Sequence, residues 1–163
     1  MFSKRLGIAV LLSGLFVLPL SASMVSFLVI EEGLQPGAEA GDYSALWEDS
    51  LMGTFFDAGH IVSNSPILRV EKLSAAVLPL EVQADYADAF RGGADFFIIA
   101  VLEYRTQDRR TRPFTVSIKI FTTNSEQLIY ENRFPAGNGI NSQDEYLKAQ
   151  ETARIIAAQI GNM

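Results

Sequence analysis

The sequence predicts a single α/β domain of the α+β kind, with a mixed sheet and the element order β-α-β-α-β-β-β-α, lying behind an amino-terminal export signal. Three observations carry this prediction. Apolar runs with strand composition alternate with segments of helical period, a period-two stretch late in the chain is followed by a turn and a return strand, and no repeat or low-complexity segment divides residues 24–163.

Met24 to Ile30 reads as the first strand, because a short run rich in Val, Ile and Phe suits a strand buried on both faces. Gly33 to Asp42, with Pro36, Gly37 and Gly41 as breakers, reads as a loop. The clearest helix follows. Tyr43, Leu46, Trp47, Ser50, Leu51, Phe55 and Ala58 recur at three- and four-residue spacing, Asp42 stands where an N-cap belongs, and Gly59 ends the pattern. His60 to Asn64 is then a short strand, and Pro66 marks the turn into Ile67-Leu68-Arg69-Val70.

Pro79 sits where a first helical turn tolerates it, and Val82, Tyr86 and Phe90 form one apolar face of a second helix ending at Gly92-Gly93. Asp95 to Tyr104 is almost wholly apolar and fits a central strand covered on both faces. Thr106 to Arg112 reads as an exposed connection. Phe114 to Ile120 alternates with period two, Asn124-Ser125-Glu126 turns, and Leu128 to Phe134 returns. After a loop over residues 135–141, Ser142 with Glu145 gives a capping-box signature for a last helix, whose stripe is Tyr146, Ala149, Ala153, Ile156, Ala157 and Ile160.

The first 23 of the 163 residues have the build of an export signal: Lys4 and Arg5, an apolar stretch from Leu6 to Leu18, then Pro19 and the small run Ser21-Ala22-Ser23, after which cleavage is expected. The alternative is an uncleaved anchor over residues 6–23 that holds the protein at the inner membrane; apolar character continues to Ile30, and a span takes ~20 such residues. A periplasmic or otherwise exported location follows from the first reading. Cysteine is absent, which excludes disulfides, a thiolate nucleophile and a lipidated cysteine. Loss of Lys4 and Arg5 from the 13 basic residues leaves 11 against 19 acidic ones, a net charge near −8. Such a balance repels phosphate backbones and anionic lipid, so nucleic acid is not an expected partner and a membrane is one only if the leader stays attached.

No catalytic set emerges, and no metal or organic cofactor is expected. His60 is the one histidine and follows a helix end with no cysteine beside it, so it reads as structural. Glu48 and Asp49 are adjacent on a helix and cannot converge on one bond; they read as its solvated face. Asp95 reads as a turn residue. Gly92-Gly93 follows a helix and precedes a strand, the reverse of a phosphate cradle, and reads as a C-cap. The one concentrated positive site is Arg105, Arg109, Arg110 and Arg112, which together with the surface around Trp47 are the candidate partner-binding residues.

The opening strand Val25 to Ile30, the helix Tyr43 to Ala58 followed by His60-Ile61-Val62-Ser63, the phrase Gly92-Gly93-Ala94-Asp95 before Phe96-Phe97-Ile98-Ile99, and the paired strands from Phe114 to Phe134 together carry a resemblance. In these parts the chain resembles the α/β domain shared by the peptidoglycan-synthase activator lipoprotein B, the curli-secretion lipoproteins and the TolB amino-terminal domain. The resemblance implies a non-enzymatic envelope role in which a sheet and its helices dock a partner protein. Lacking the lipidated cysteine, this chain departs from the lipoproteins. The expectation is therefore an exported, non-catalytic protein that binds or helps assemble an envelope protein. The alternatives are an exported hydrolase using two of Asp42, Glu48 and Asp57, or a membrane-anchored structural subunit.

Overall fold

A computed structural model describes residues 22–34, 42–107, 110–137 and 141–161. Residues 1–21 of the expected leader, the breakers Pro36, Gly37 and Gly41, candidate Arg109, and residues 138–140 lie outside the described residues. Among those described, no helix is long and apolar enough to cross a membrane.

The first strand, β1 (Met24–Glu32), is inaccessible on both faces, as its unbroken apolar run requires. Val25, Phe27 and Val29 point to one side of the sheet, and Leu28 and Ile30 to the other. The first helix, α1 (Tyr43–Asp57), crosses over one face and returns the chain to β2 (Ile61–Asn64), parallel to β1. Pro66 then has a larger effect than a turn within one strand: it splits the segment, and β3 (Leu68–Val70) pairs separately with the far end of β1. The mixed sheet therefore has six strands where the element order called for five.

A 3-10 turn at Leu80–Val82 leads into α2 (Gln83–Arg91), which covers the opposite face. Val82 and Tyr86 face the sheet as expected, but Phe90 is 55% exposed and Ala89 takes its place. This helix is short and starts only at Gln83, so the residue three positions after Tyr86 meets the sheet and the next one swings past its edge. Gly92 caps α2, and Gly93 takes φ 82°, a left-handed conformation that glycine adopts without strain.

Next, β4 (Phe96–Gln107) enters as the central strand, parallel to β1 on one side and antiparallel to β5 (Arg110–Thr122) on the other; β6 (Gln127–Pro135) completes the order β2-β1-β4-β5-β6. Both faces of β4 are covered from Phe97 to Leu102. Ile98, Ala100, Leu102 and Tyr104 pack beneath α1 and α3 (Ser142–Ile160), while Phe97, Ile99 and Val101 pack beneath α2. Asp95 behaves as a structural turn residue: its carboxylate accepts the Met24 amide at 2.8 Å, and its own amide donates to the Met24 carbonyl at 2.8 Å, clasping the start of β1.

Two details of the helices differ from the sequence reading. Asp42 stands at the start of α1 but makes no side-chain cap bond. At α3 the cap is Asn141, whose side chain accepts the Asp144 amide at 2.8 Å. Moving the cap back one residue places Glu145 at the fourth helical position, where it cannot close a capping box and turns inward. The buried stripe accordingly runs through Glu145, Ala149, Thr152, Ala153, Ile156 and Ile160, with Tyr146 partly exposed at its border.

Within this core Leu51 and Phe55 are fully buried, Leu46 is half-buried, and the Phe55 ring meets Phe27 edge-on at 5.1 Å between centroids. Phe55→Ala removes that contact and opens a cavity, and it should cost ~3–5 kcal/mol. Chemical denaturation checks this, with the midpoint moving and the slope unchanged; an unmoved midpoint would show that the helix does not dock by this face.

Candidate functional site

Two buried carboxylates organise the end of the sheet where β1 and β3 finish. Glu31 is 5% exposed and lies near the end of β1. Its Oε2 accepts Arg69 Nε from β3 at 2.6 Å, and its Oε1 accepts the Ser44 hydroxyl from the first turn of α1 at 2.7 Å. Since the single Ser44 proton is committed to Glu31, the Tyr104 hydroxyl, 2.8 Å from Ser44 Oγ, is the donor in that contact. Burial raises the Tyr104 phenol to about 12, with Glu31 and Glu145 pushing the same way against the Ser44 bond and Arg69. Tyr104 therefore stays protonated and donating at any physiological pH.

Glu145 is the second buried carboxylate. Its Oε1 accepts the Trp47 indole Nε1 at 2.6 Å, and the Gly137 amide also donates to it. A Cβ at Gly137 would stand 2.8 Å from Glu145 Cα, so this close approach requires glycine. Burial raises the Glu145 carboxyl above its ordinary value, while the Trp47 bond, the Gly137 amide and the nearby charge of Arg112 oppose the rise. Trp47 itself is fully buried, and this corrects its expected place on a partner-facing surface: its ring fills the core, and the indole N–H is committed to Glu145.

The arginines occupy a different setting from the exposed connection expected over residues 106–112. Both β4 and β5 run on past their neighbours: β1 pairing ends at Glu32 with Glu103, and β6 pairing ends at Pro135 with Thr115. Beyond that line Tyr104–Gln107 and Arg110–Pro113 pair only with each other. After a register shift at Glu103/Tyr104 the ladder resumes where a loop was expected, and no glycine or proline stands between Tyr104 and Pro113 to break it. On this ribbon Arg105 is directly opposite Arg112, and Thr106 Oγ1 lies 3.0 Å from Thr111 Oγ1. Arg105 is exposed, and its guanidinium lies 4.2 Å above the Phe114 ring, which is itself about half exposed. Backbone pairing places Arg110 at the tip, opposite Gln107.

The carboxylates of the hydrolase alternative do not converge. Asp42 and Asp57 stand at opposite ends of α1, a separation of about 22 Å at 1.5 Å per residue. Glu48 lies about 13 Å along the axis from Asp57 by the same rise, and it accepts Asn64 Nδ2 at 2.9 Å. Asp42 and Glu48, six residues apart, point about 120° away from each other. A glycosidic pair needs ~5–10 Å across one cleft. His60 packs against Phe55 with ring centroids 5.5 Å apart, and among the described residues no group of three His, Asp or Glu side chains is arranged to hold a metal.

Sequence reasoning missed Glu31, Ser44, Tyr104 and Glu145. Read locally, Glu31 is the stop of an apolar run and Glu145 is a cap. The available signal was the complement: an arginine in β3 beside the end of β1, and an indole N–H on a buried helical stripe, each needing a partner.

No protein-family model matches the chain, and no curated protein matches it. Among solved structures it is similar to the PelC dodecamer from Paraburkholderia phytofirmans, with TM-score 0.52 and 11% identity over 80% of this chain and 84% of that one. It is also similar to lipoprotein GNA1162 from Neisseria meningitidis, with TM-score 0.44 and 14% identity over 86% of this chain and 99% of that one. For TolB from Acinetobacter baumannii the TM-score is 0.41, with 9% identity over 87% of this chain and 28% of that one. At such identity the PelC likeness shows a shared fold.

Raising a buried carboxyl's pKa sets the sign of a pH effect. Between the ordinary value near 4.5 and the higher folded value, the folded state holds more protons than the unfolded one, so the Glu145 contribution is full at low pH and is lost as pH rises through that window. Glu145→Gln keeps an acceptor for Trp47 and cannot ionise. Melting of both proteins from pH 4 to 8 should show the wild type losing stability relative to the variant as pH rises; a constant difference between the two would place the carboxyl outside the core.

Proposed function

We propose that this chain is an exported, non-catalytic domain of the cell envelope that docks a partner protein through the β4–β5 ribbon. One observation carries the proposal: on a protein with net charge −6, the strands that project beyond the sheet bear Arg105, Arg110 and Arg112, with Arg105 stacked on a half-exposed Phe114. A cation over an aromatic ring offers a partner both charge and apolar area, the combination enriched at interface anchors. An acidic partner surface is the complement that would recognise it.

Export rests on the leader-like residues 1–23, and the envelope reading is supported by the resemblance to the activator lipoprotein B, curli-secretion lipoprotein and TolB amino-terminal domains. It also accords with the chemistry of the core. Glu31 and Glu145 hold elements together, and the carboxylates named for hydrolysis are scattered along α1.

Two measurements test this. The mass of the protein recovered from the envelope should correspond to a chain beginning at Met24, and an intact leader would overturn the cleaved, soluble form. A photo-crosslinker at Thr106 should capture one acidic envelope protein; capture should fade with rising salt, since exposed charges are screened over ~8 Å at physiological ionic strength. Arg105→Glu should abolish the crosslink while changing stability little, because exposed substitutions usually matter by under ~0.5 kcal/mol. Capture that is indifferent to both salt and Arg105→Glu would remove the ribbon from the docking surface.

A further inference from the structure

Toward the other end of the domain, α1 from Asp49 onward and α3 from Tyr146 onward leave a groove of about 570 Å³ between them. Its size falls within the ~300–1,000 Å³ usual for small-ligand sites. The floor is low because Gly53 of α1 and Ala157 of α3 contribute almost no side chain. Among the polar groups that line it from both helices and from the residue before β2 are Ser50, Asp57, His60 and Arg154, with Asp49 as a second carboxylate.

Three features of these groups point outward to a ligand. Ser50 is only 3% exposed, yet its hydroxyl makes no hydrogen bond, and Nδ1 of His60 is likewise buried without a partner. Such groups are rare because an unmet buried donor or acceptor costs ~1–3 kcal/mol. Asp57 and Arg154, both exposed, face the same groove with opposite charge, and neither forms an ion pair or side-chain hydrogen bond among the described residues, so both are open to a ligand. Among those residues, nothing in the fold's own polar bonding engages the Ser50 hydroxyl, His60 Nδ1, Asp57 or Arg154.

We infer that the α1–α3 groove is a binding site for a short peptide with free termini, of dipeptide size. Asp57 takes the ammonium, Arg154 takes the terminal carboxylate in the bidentate manner that a guanidinium allows, and the Ser50 hydroxyl, closed off in this structure, turns about its χ1 to meet the peptide amide beside the His60 ring. A simple anion would leave the carboxylates facing it, and a simple cation would leave Arg154 unmet. A ligand carrying both charges with a neutral polar link engages Asp57, Arg154, Ser50 and His60 together and leaves the exposed Asp49 to solvent.

His60 is the one histidine in the sequence, so its imidazole proton resonances report on the groove without assignment by mutation. The protein purified from the envelope is titrated with alanyl-alanine, with its N-acetylated form and with its carboxamide. The inference expects a saturable shift of the His60 signals with the free dipeptide, and a loss of affinity of tenfold or more with either blocked form. Asp57→Asn should weaken the free dipeptide comparably while leaving the N-acetylated form, which has no ammonium to lose, no weaker than before. Arg154→Ala should do the same for the carboxamide, which has no carboxylate. Failure of the free dipeptide to shift the His60 signals saturably, or equal binding of all three compounds, would overturn the inference. Because the blocked compounds are compared on the unaltered chain, the result does not depend on a variant folding.

Discussion

The buried Glu145 carboxylate is the contact on which the arrangement of this domain most depends. It fixes the amino-terminal end of α3 to the amino-terminal half of α1 through Trp47, and to the segment after β6 through the Gly137 amide. These are three elements that the sheet alone would leave free to slide. A buried carboxylate is stable only if its lone pairs are met, so the position of each donor is dictated by the carboxylate and not the reverse. The groove beside His60 opens along the same helix pair, from Asp49 and Tyr146 just past that pin to Gly161. The pin and the opening are two consequences of one helix pair.

Glu31 does the same for the sheet. It joins β1 to β3 through Arg69, and to α1 and β4 through Ser44 and Tyr104. The first strand could not otherwise carry a carboxylate at a buried position. Satisfying it makes the charge a specifier of register, since a slip by one residue would turn Glu31 to the α2 face, away from Ser44 and Tyr104. Conformational specificity is thus concentrated in two acids of one core.

Apolar periodicity made most of the fold legible in the sequence. The buried runs of β1 and β4, the α1 stripe through Leu51 and Phe55, the period-two hairpin and the Gly92-Gly93 stop were all readable, because each depends on neighbours within a few residues. What escaped depended on pairing over distance. Trp47 and Glu145 are 98 positions apart, and nothing local distinguishes a capping glutamate from one that turns inward. The ribbon escaped for a related reason: charged residues read locally as a loop, whereas strand pairing with a facing segment of similar length lets arginines stand on a ladder that runs past the rest of the sheet. Phe90 shows the converse error, in which an apolar residue at helical spacing swings past the sheet edge while Ala89, one position earlier, meets the core.

The ribbon and the groove lie at opposite ends of the sheet, and this separation bears on how they could work together. The groove borders the start of β2, whose first residue pairs with Met24, whereas the ribbon begins beyond Glu32 at the other end of β1. Eight steps of about 3.3 Å put roughly 26 Å between those levels. Sites so far apart, sharing no side chain, are expected to respond additively to substitution unless an element with two arrangements connects them. Among the described residues, one polar connection between them runs through the helix pair: the charge of Arg112 on the ribbon lies near Glu145, Glu145 holds Trp47, and α1 carries Asp57 and Ser50 to the groove. Any coupling between a docked partner and a bound peptide along that route would therefore have to pass through the Glu145 carboxylate, the ionisable group where the two halves meet.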